Sequence, residues 1–191
     1  FVRVGRNPEV RALAGPDTRV VDLEGRTVVP GFIDTHSHTF RRGERGLRSP
    51  SLVGLGSVRA IVEAIGAEAA RTPTGEWIVT TPIGEPPDYF HLPGSLEEQR
   101  WPTRADLDAA APENPVYIPI GIWPYPVIFN SEALSRLGIT ASGPEDDRHV
   151  RIHRDPSTGE PTGLIEGMIF YLPSPLWGAL QRMLPRPTPE Q

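Results

Sequence analysis

The sequence predicts an α/β fold with parallel strands, and three observations carry that expectation. Short β-type runs alternate with segments of helical periodicity in the order strand, helix, strand, helix, strand, which implies parallel pairing through crossovers. The 191 residues include 19 glycines and 23 prolines, short of the roughly 25–30 % share that signals a low-complexity chain, so they read as frequent turns. Hydrophobic residues make up 38 %, enough with glycine to build an ordinary packed core.

Phe1 to Val4, Arg19 to Leu23 and Arg26 to Val29 are short β-type runs, with Glu24-Gly25 placed as a two-residue hairpin turn because glycine tolerates positive φ. They predict strands of a small sheet over residues 1–30. The apolar run Val28, Val29, Phe32 and Ile33 is broken by Pro30-Gly31, and proline cannot donate to a central ladder. Phe32 to His38 is therefore expected to form a new, buried strand. Residues 41–56 carry Arg41, Arg42, Arg45, Arg48 and four glycines and read as a loop. Ser57 caps a helix that bears Val58, Ile61, Val62, Ile65 and Ala69 on one face and ends before Pro73. Trp77 to Thr81 is the next strand, Thr103 caps a short helix through Ala111 that stops at Pro112, and Val116 to Ile120 is a third strand. Asn130 or Ser131 caps a helix to Leu137, closed by Gly138. Asp155 to Gly159 is a turn. The apolar run Leu164 to Leu172, which periodicity alone does not assign, is placed in a helix.

Composition excludes several classes of chemistry. Net charge is −5 with both signs interspersed, which gives no electrostatic footprint for nucleic acid or an anionic membrane. Every basic residue is arginine, so a lysine Schiff base, a lysine general base and a carboxylated lysine bridging two metals are all excluded from this chain. Cysteine is absent, which removes disulfides, thiolate zinc sites and cysteine nucleophiles. No apolar run approaches the ~18 residues of a membrane span, and the first fifteen residues carry charges where a secretory signal is apolar. A soluble, cytoplasmic chain is expected. It begins with Phe1 and ends in Pro185-Arg186-Pro187-Thr188-Pro189, so both ends read as cuts or processing sites.

His36-x-His38 follows an apolar β-type run, and side chains two apart on a strand point to the same face, so two imidazoles converge. Divalent zinc, nickel, iron and manganese accept imidazole nitrogen, and a catalytic metal site keeps one position for a water whose pKa falls toward ~7. Two histidines in a loop can also produce the same pattern by chance.

The stretch Val28-Val29-Pro30-Gly31-Phe32-Ile33-Asp34-Thr35-His36-Ser37-His38, with the lead-in Val20-Val21-Asp22-Leu23-Glu24-Gly25-Arg26, resembles the strand-one signature of the amidohydrolase superfamily. Further blocks occur in family order: Trp77-Ile78-Val79; Pro102 to Asp108 with Ala111-Pro112 and Pro115-Val116-Tyr117; Asn130 to Leu134 with Gly138-Ile139; and Gly159 to Gly163. As a set they are similar to amidohydrolase family 3, the YtcJ-like proteins. The resemblance implies a small β-sandwich domain, here in part over residues 1–30, leading into a metal-dependent (β/α)8 barrel. Residues 31–191 would supply about its first three strands, since such a barrel takes ~250 residues. It further implies that His36 and His38 hold a divalent metal, with zinc the expected ion and one or two ions bound. The family's later histidines and its acid-base aspartate lie beyond this chain, so the fragment alone is expected to be inactive.

The implied reaction is hydrolysis of a non-peptide C–N bond in a small-molecule amide, formamide or cyclic amide. A deaminase or ester hydrolase of the same superfamily is the alternative enzyme, because fold does not fix substrate. From another class, the chain is a catalytically inactive half-barrel that binds a metal or a partner. An open barrel edge is prone to aggregate, so that reading needs a covering partner or a homo-oligomer.

Other residues enter as candidates. Glu166, in Gly163-Leu164-Ile165-Glu166-Gly167, is a metal ligand or substrate contact, or else a solvated or structural carboxylate. Asp34 suits a partner that fixes an imidazole tautomer, or a backbone-bonding role at the strand end. Arg41 and Arg42 could bind a substrate carboxylate, or belong to a solvated loop. Trp123, in a Trp-Pro-Tyr-Pro segment where many relatives carry Gly-His, is the tryptophan expected near substrate, while Trp77, Trp101 and Trp177 pack the core or line the mouth. His91, His149 and His153 read as surface histidines in proline- and charge-rich loops.

Overall fold

In the computed structural model, which describes residues 2–35, 43, 50–84, 88–121, 124–168 and 174–185, the chain divides into two units, Phe1–Ser37 and His38–Gln191. The first unit departs from the sequence expectation. Its one regular element among the described residues is the short helix α1 (Asn7–Arg11), with Pro8 in the first turn. The turn at Glu24-Gly25 forms as expected: φ is 51° and 79° at the two residues, and Arg26 N donates to Leu23 O at 2.8 Å. The flanking runs nevertheless form no ladder. Val2, Val4, Val20, Val21, Leu23, Val28 and Val29 are exposed, and Phe32 and Ile33, expected in a buried strand, are 95 % and 88 % exposed. An isolated two-stranded hairpin is marginal in water, and no third strand among the unit's described residues pairs with it.

In the second unit, local signals set the helices. Helix α2 (Val58–Ala69) starts at Ser57, whose hydroxyl accepts from Ala60 N at 3.1 Å. The Glu98 carboxylate adds bonds from Val58 N at 2.7 Å and Arg59 N at 3.2 Å, a negative charge where the helix dipole favours one. The Val58 amide is the main reason the Glu98 carboxyl sits below its usual pKa. Helix α3 (Arg104–Ala110) opens with a reciprocal capping box between Thr103 and Asp106. Helix α4 (Ser131–Arg136) is capped by Asn130 and closed by Gly138 at φ 69°. Helix α5 (Pro175–Met183) begins with proline in its first turn. A 3-10 turn covers Asp88–His91. Among the described residues, no helix is long and apolar enough to cross a membrane.

Arg100 forks onto Asp106 with bonds of 2.7 and 3.0 Å. That guanidinium, ahead of the Thr103 bonds, pulls the Asp106 carboxyl from its usual 3.8 down to about 2. A carboxyl depressed on folding contributes stability that is fully present above its unfolded pKa and is lost as pH falls through the folded one. Acidification from pH 4 toward pH 2 should therefore loosen the α3 cap. Urea midpoints measured across that range should fall for the native chain and fall less for Asp106→Asn; parallel curves would refute the assignment.

The five strands are β1 (Ile78–Val79), β2 (Val116–Pro119), β3 (Val127–Phe129), β4 (Arg151–Arg154) and β5 (Pro161–Glu166). They form one open sheet in the order β1-β2-β3-β5-β4. Pairing of β1 with β2 is parallel, with α3 as the crossover, as the strand-helix-strand order predicts. The other three pairings are antiparallel, so the sheet is mixed rather than parallel throughout. Two separate apolar clusters pack on it: Ile78, Ile118, Ile128 and Leu164 face α2 and α3, while Val79, Tyr117, Val127, Phe129, Ile152 and Ile165 face α4 and α5. Tyr117 and Phe129 stack at 5.3 Å. Trp101 packs on the first cluster and Trp77 and Trp177 on the second.

The helix expected over Leu164 to Leu172 is corrected where residues are described: Pro161–Glu166 are strand β5, and residues 169–172 lie outside the described residues. Its side chains alternate between buried and half-buried, and Leu164 and Ile165 enter opposite clusters. A strand covered on both faces reads as a continuous apolar run, which imitates a buried helix. Gly163, at φ 102°, passes close to the backbone of Phe129 and Arg104, where a Cβ would meet Phe129 O at 2.5 Å. The turn from Asp155 to Gly159 forms as expected, with Asp155 Oδ1 accepting from Ser157 N and Thr158 N.

Candidate functional site

Strand directions gather several segments at one edge of the sheet. Parallel strands β1 and β2 run toward Val79 and Pro119. Strand β3 starts at Val127 opposite Pro119, and Ile165 of β5 lies opposite Val127. Glu166, the last residue of β5, thus sits at the edge formed by the C-terminal ends of the parallel strands, where α/β folds build their sites.

Glu166 does not stand alone there. Arg151 faces it across the β4–β5 ladder, and His153, two residues on, shares that face as a diagonal neighbour. The imidazole Nε2 lies 3.2 Å from Glu166 Oε2, with both side chains about a quarter exposed. Nε2 itself is shielded from solvent and has no aligned hydrogen bond among the described residues. Thr162 Oγ1 donates to the His153 carbonyl at 3.0 Å and holds the two strands together at this point.

The loop after β2 closes on the same corner. Ile120 N donates to Pro126 O at 3.0 Å and Gly167 N to Pro124 O at 2.9 Å. Between the two prolines, Tyr125 takes φ 57°, a conformation uncommon for a bulky side chain. Gly167, at φ 82°, has no room for a side chain, since a Cβ would fall 1.8 Å from His149 O.

Of the residues singled out from sequence, Glu166 is thus placed and partnered. Asp34 is exposed in the first unit. His36, His38, Arg41, Arg42 and Trp123 lie outside the described residues. His153 is corrected from a loop histidine to a half-buried strand residue. Part of its signal was present in the sequence: two runs flanking the Asp155–Gly159 turn mark a hairpin, whose register from Arg154 opposite Pro161 shifts before Ile152 pairs with Ile165. What hid it is the charged edge sequence Arg151-Ile152-His153-Arg154.

Among the described residues, no group of three or more His, Cys, Asp or Glu side chains could hold a metal ion. The Glu166 carboxylate at this corner is nevertheless a donor type that divalent ions accept. A shallow depression of about 390 Å³ between α2 and α3 offers less, since its Glu98, Arg100 and Asp106 are already committed to the helix caps.

The profile of the amidohydrolase family matches residues 19–174. The chain is 37 % identical over 179 residues to the N-substituted formamide deformylase of Arthrobacter pascens, covering 91 % of this chain and 30 % of that protein. It is 33 % identical over 150 residues to a Bacillus subtilis protein named as amidohydrolase YtcJ, covering 78 % and 26 %. Against protein LONG AFTER FAR-RED 3 of Arabidopsis thaliana it is 30 % identical over 175 residues, covering 92 % and 28 %. The chain therefore spans less than a third of the length of these curated relatives. No solved structure matches it. With the profile covering most of its length and the family blocks in order along it, this chain belongs to the amidohydrolase family.

Proposed function

We propose that the complete protein hydrolyses a non-peptide C–N bond of a small amide, formamide or cyclic amide in the cytoplasm, and that this chain is its front part. Residues 1–30 would contribute to a small β-sandwich, and residues 31–191 would open a (β/α)8 barrel whose later strands bring the acid-base aspartate. The observation that carries this reading is the 37 % identity, across nine-tenths of the chain, to a formamide deformylase.

His36 and His38 would hold a divalent ion, with zinc expected, and Asp34 would fix one imidazole. When bound, such an ion supplies Lewis-acid polarisation of a carbonyl and lowers the pKa of a water. Glu166, at the strand-end edge, serves as an oxygen donor to the ion or as a contact for the substrate's N–H. Arg41 and Arg42 would bind a carboxylate on the substrate. Trp123, next to Pro124 in the sequence, would cover its apolar part.

In the complete gene product, His36→Ala and His38→Ala should each lower zinc content measured by elemental analysis. Turnover of an N-substituted formamide should fall to background in both. Full zinc content and unchanged turnover in both variants would overturn the proposal.

A further inference from the structure

We infer that His153 is a positioning residue for Glu166, so that the β4–β5 hairpin supplies the site with a coupled imidazole and carboxylate rather than a lone acid. The inference deepens the proposed function and rests on its reading of Glu166 as a site residue.

Buried polar atoms in folded proteins almost always have a hydrogen-bond partner, so the shielded, unbonded Nε2 of His153 needs an account. Glu166 Oε2 lies 3.2 Å from it. The distance is that of a contact, and only the N–H direction is off. Hydrogen bonds at functional sites are often poorly aligned without ligand and tighten when the site is filled. A neutral imidazole protonated at Nε2, or an imidazolium, can donate to that oxygen.

The backbone around the pair is held on every side. Ile165, before Glu166, is fully buried. Gly167, after it, donates to Pro124 O and leaves no room for a side chain against His149. Thr162, on the same strand as Glu166, donates to the His153 carbonyl of the facing strand, and the ladder changes register between Ile152 and Arg154. That irregularity falls at His153. The Glu166 backbone is thereby fixed, and the His153 imidazole, 3.2 Å from Glu166 Oε2, is placed to orient the carboxylate on it. Arg151, the ladder partner of Glu166, is exposed and holds no such position.

The test uses the complete gene product with cobalt(II) as the probe, read by its visible spectrum and affinity, together with KM for an N-substituted formamide. Glu166→Gln first shows which of these readouts the carboxylate controls. His153→Ala should then move that same readout in the same direction, by about 10–100-fold in affinity or KM, the usual effect of removing a residue behind a ligand. His153→Gln, which keeps an N–H donor at similar reach, should restore most of it. If His153→Ala leaves unchanged a readout that Glu166→Gln alters, the positioning role is wrong while Glu166 keeps its place. The positioning role is equally wrong if His153→Gln is as impaired as His153→Ala. If Glu166→Gln alters neither the spectrum, the affinity nor KM, the reading of Glu166 fails and the inference falls with it.

Discussion

Asn130→Ala should destabilise the second unit by about 3–5 kcal/mol, a large fraction of the roughly 5–15 kcal/mol that holds a domain together. The side chain is fully buried and uses all four of its bonding positions. Its Oδ1 accepts from Val116 N at 2.9 Å and Ala133 N at 3.1 Å, and its Nδ2 donates to Ala111 O at 2.9 Å and Asn114 O at 2.8 Å. One amide thus joins the end of α3, the start of β2 and the first turn of α4. Alanine leaves two amide hydrogens and two carbonyls without partners, and a buried unsatisfied group costs about 1–3 kcal/mol. Asn130→Asp should be nearly as damaging, because it keeps the accepting oxygen but sets a carboxylate against two carbonyls. Urea unfolding followed by circular dichroism measures the effect, and a loss under about 1 kcal/mol would mean that water replaces the network.

Gly167→Ala should cost about 3 kcal/mol or more, well beyond the roughly 1–2 kcal/mol that left-handed backbone alone costs an L residue. The added carbon would overlap His149 O at 1.8 Å and His149 C at 2.8 Å, so the β4 lead-in and the end of β5 must separate. Gly138→Ala is the control. It has the same sign of φ, at 69°, with nothing within 4 Å of the added carbon, so it carries the conformational cost without the collision. Thermal melts of the two variants should differ by several degrees, and the resonances of Glu166 and His153 should shift in the first only. Equal melting temperatures would show that the corner can open freely.

The parts of the fold legible in the sequence are those decided within a few residues. Ser57, Thr103 and Asn130 cap their helices because a side-chain oxygen reaches an amide two or three residues on, and Gly138 ends α4 by a local dihedral. Strands β3 and β5 were hidden for the opposite reason. Both faces of the sheet are covered, so Val127, Ile128 and Phe129 are all buried and no alternation marks them. Among the described residues of the first unit, β-type composition alone did not produce strands, because a ladder also needs partners and a face to bury. At the site, Glu166 stood out by its local block. Its pairing with His153 depends on a hairpin register and a bulge, which only the folded chain displays.

The uncovered apolar side chains of the first unit, from Val2 and Val4 to Phe32 and Ile33, have a consequence for colloidal behaviour. Exposed apolar surface attracts its like, and the force that keeps copies apart is their common negative charge. That charge vanishes near pH 5.6. Mutual repulsion is then lost within about two pH units of neutrality, and salt weakens it further. The solubility of this chain is therefore lowest in mildly acidic, saline solution.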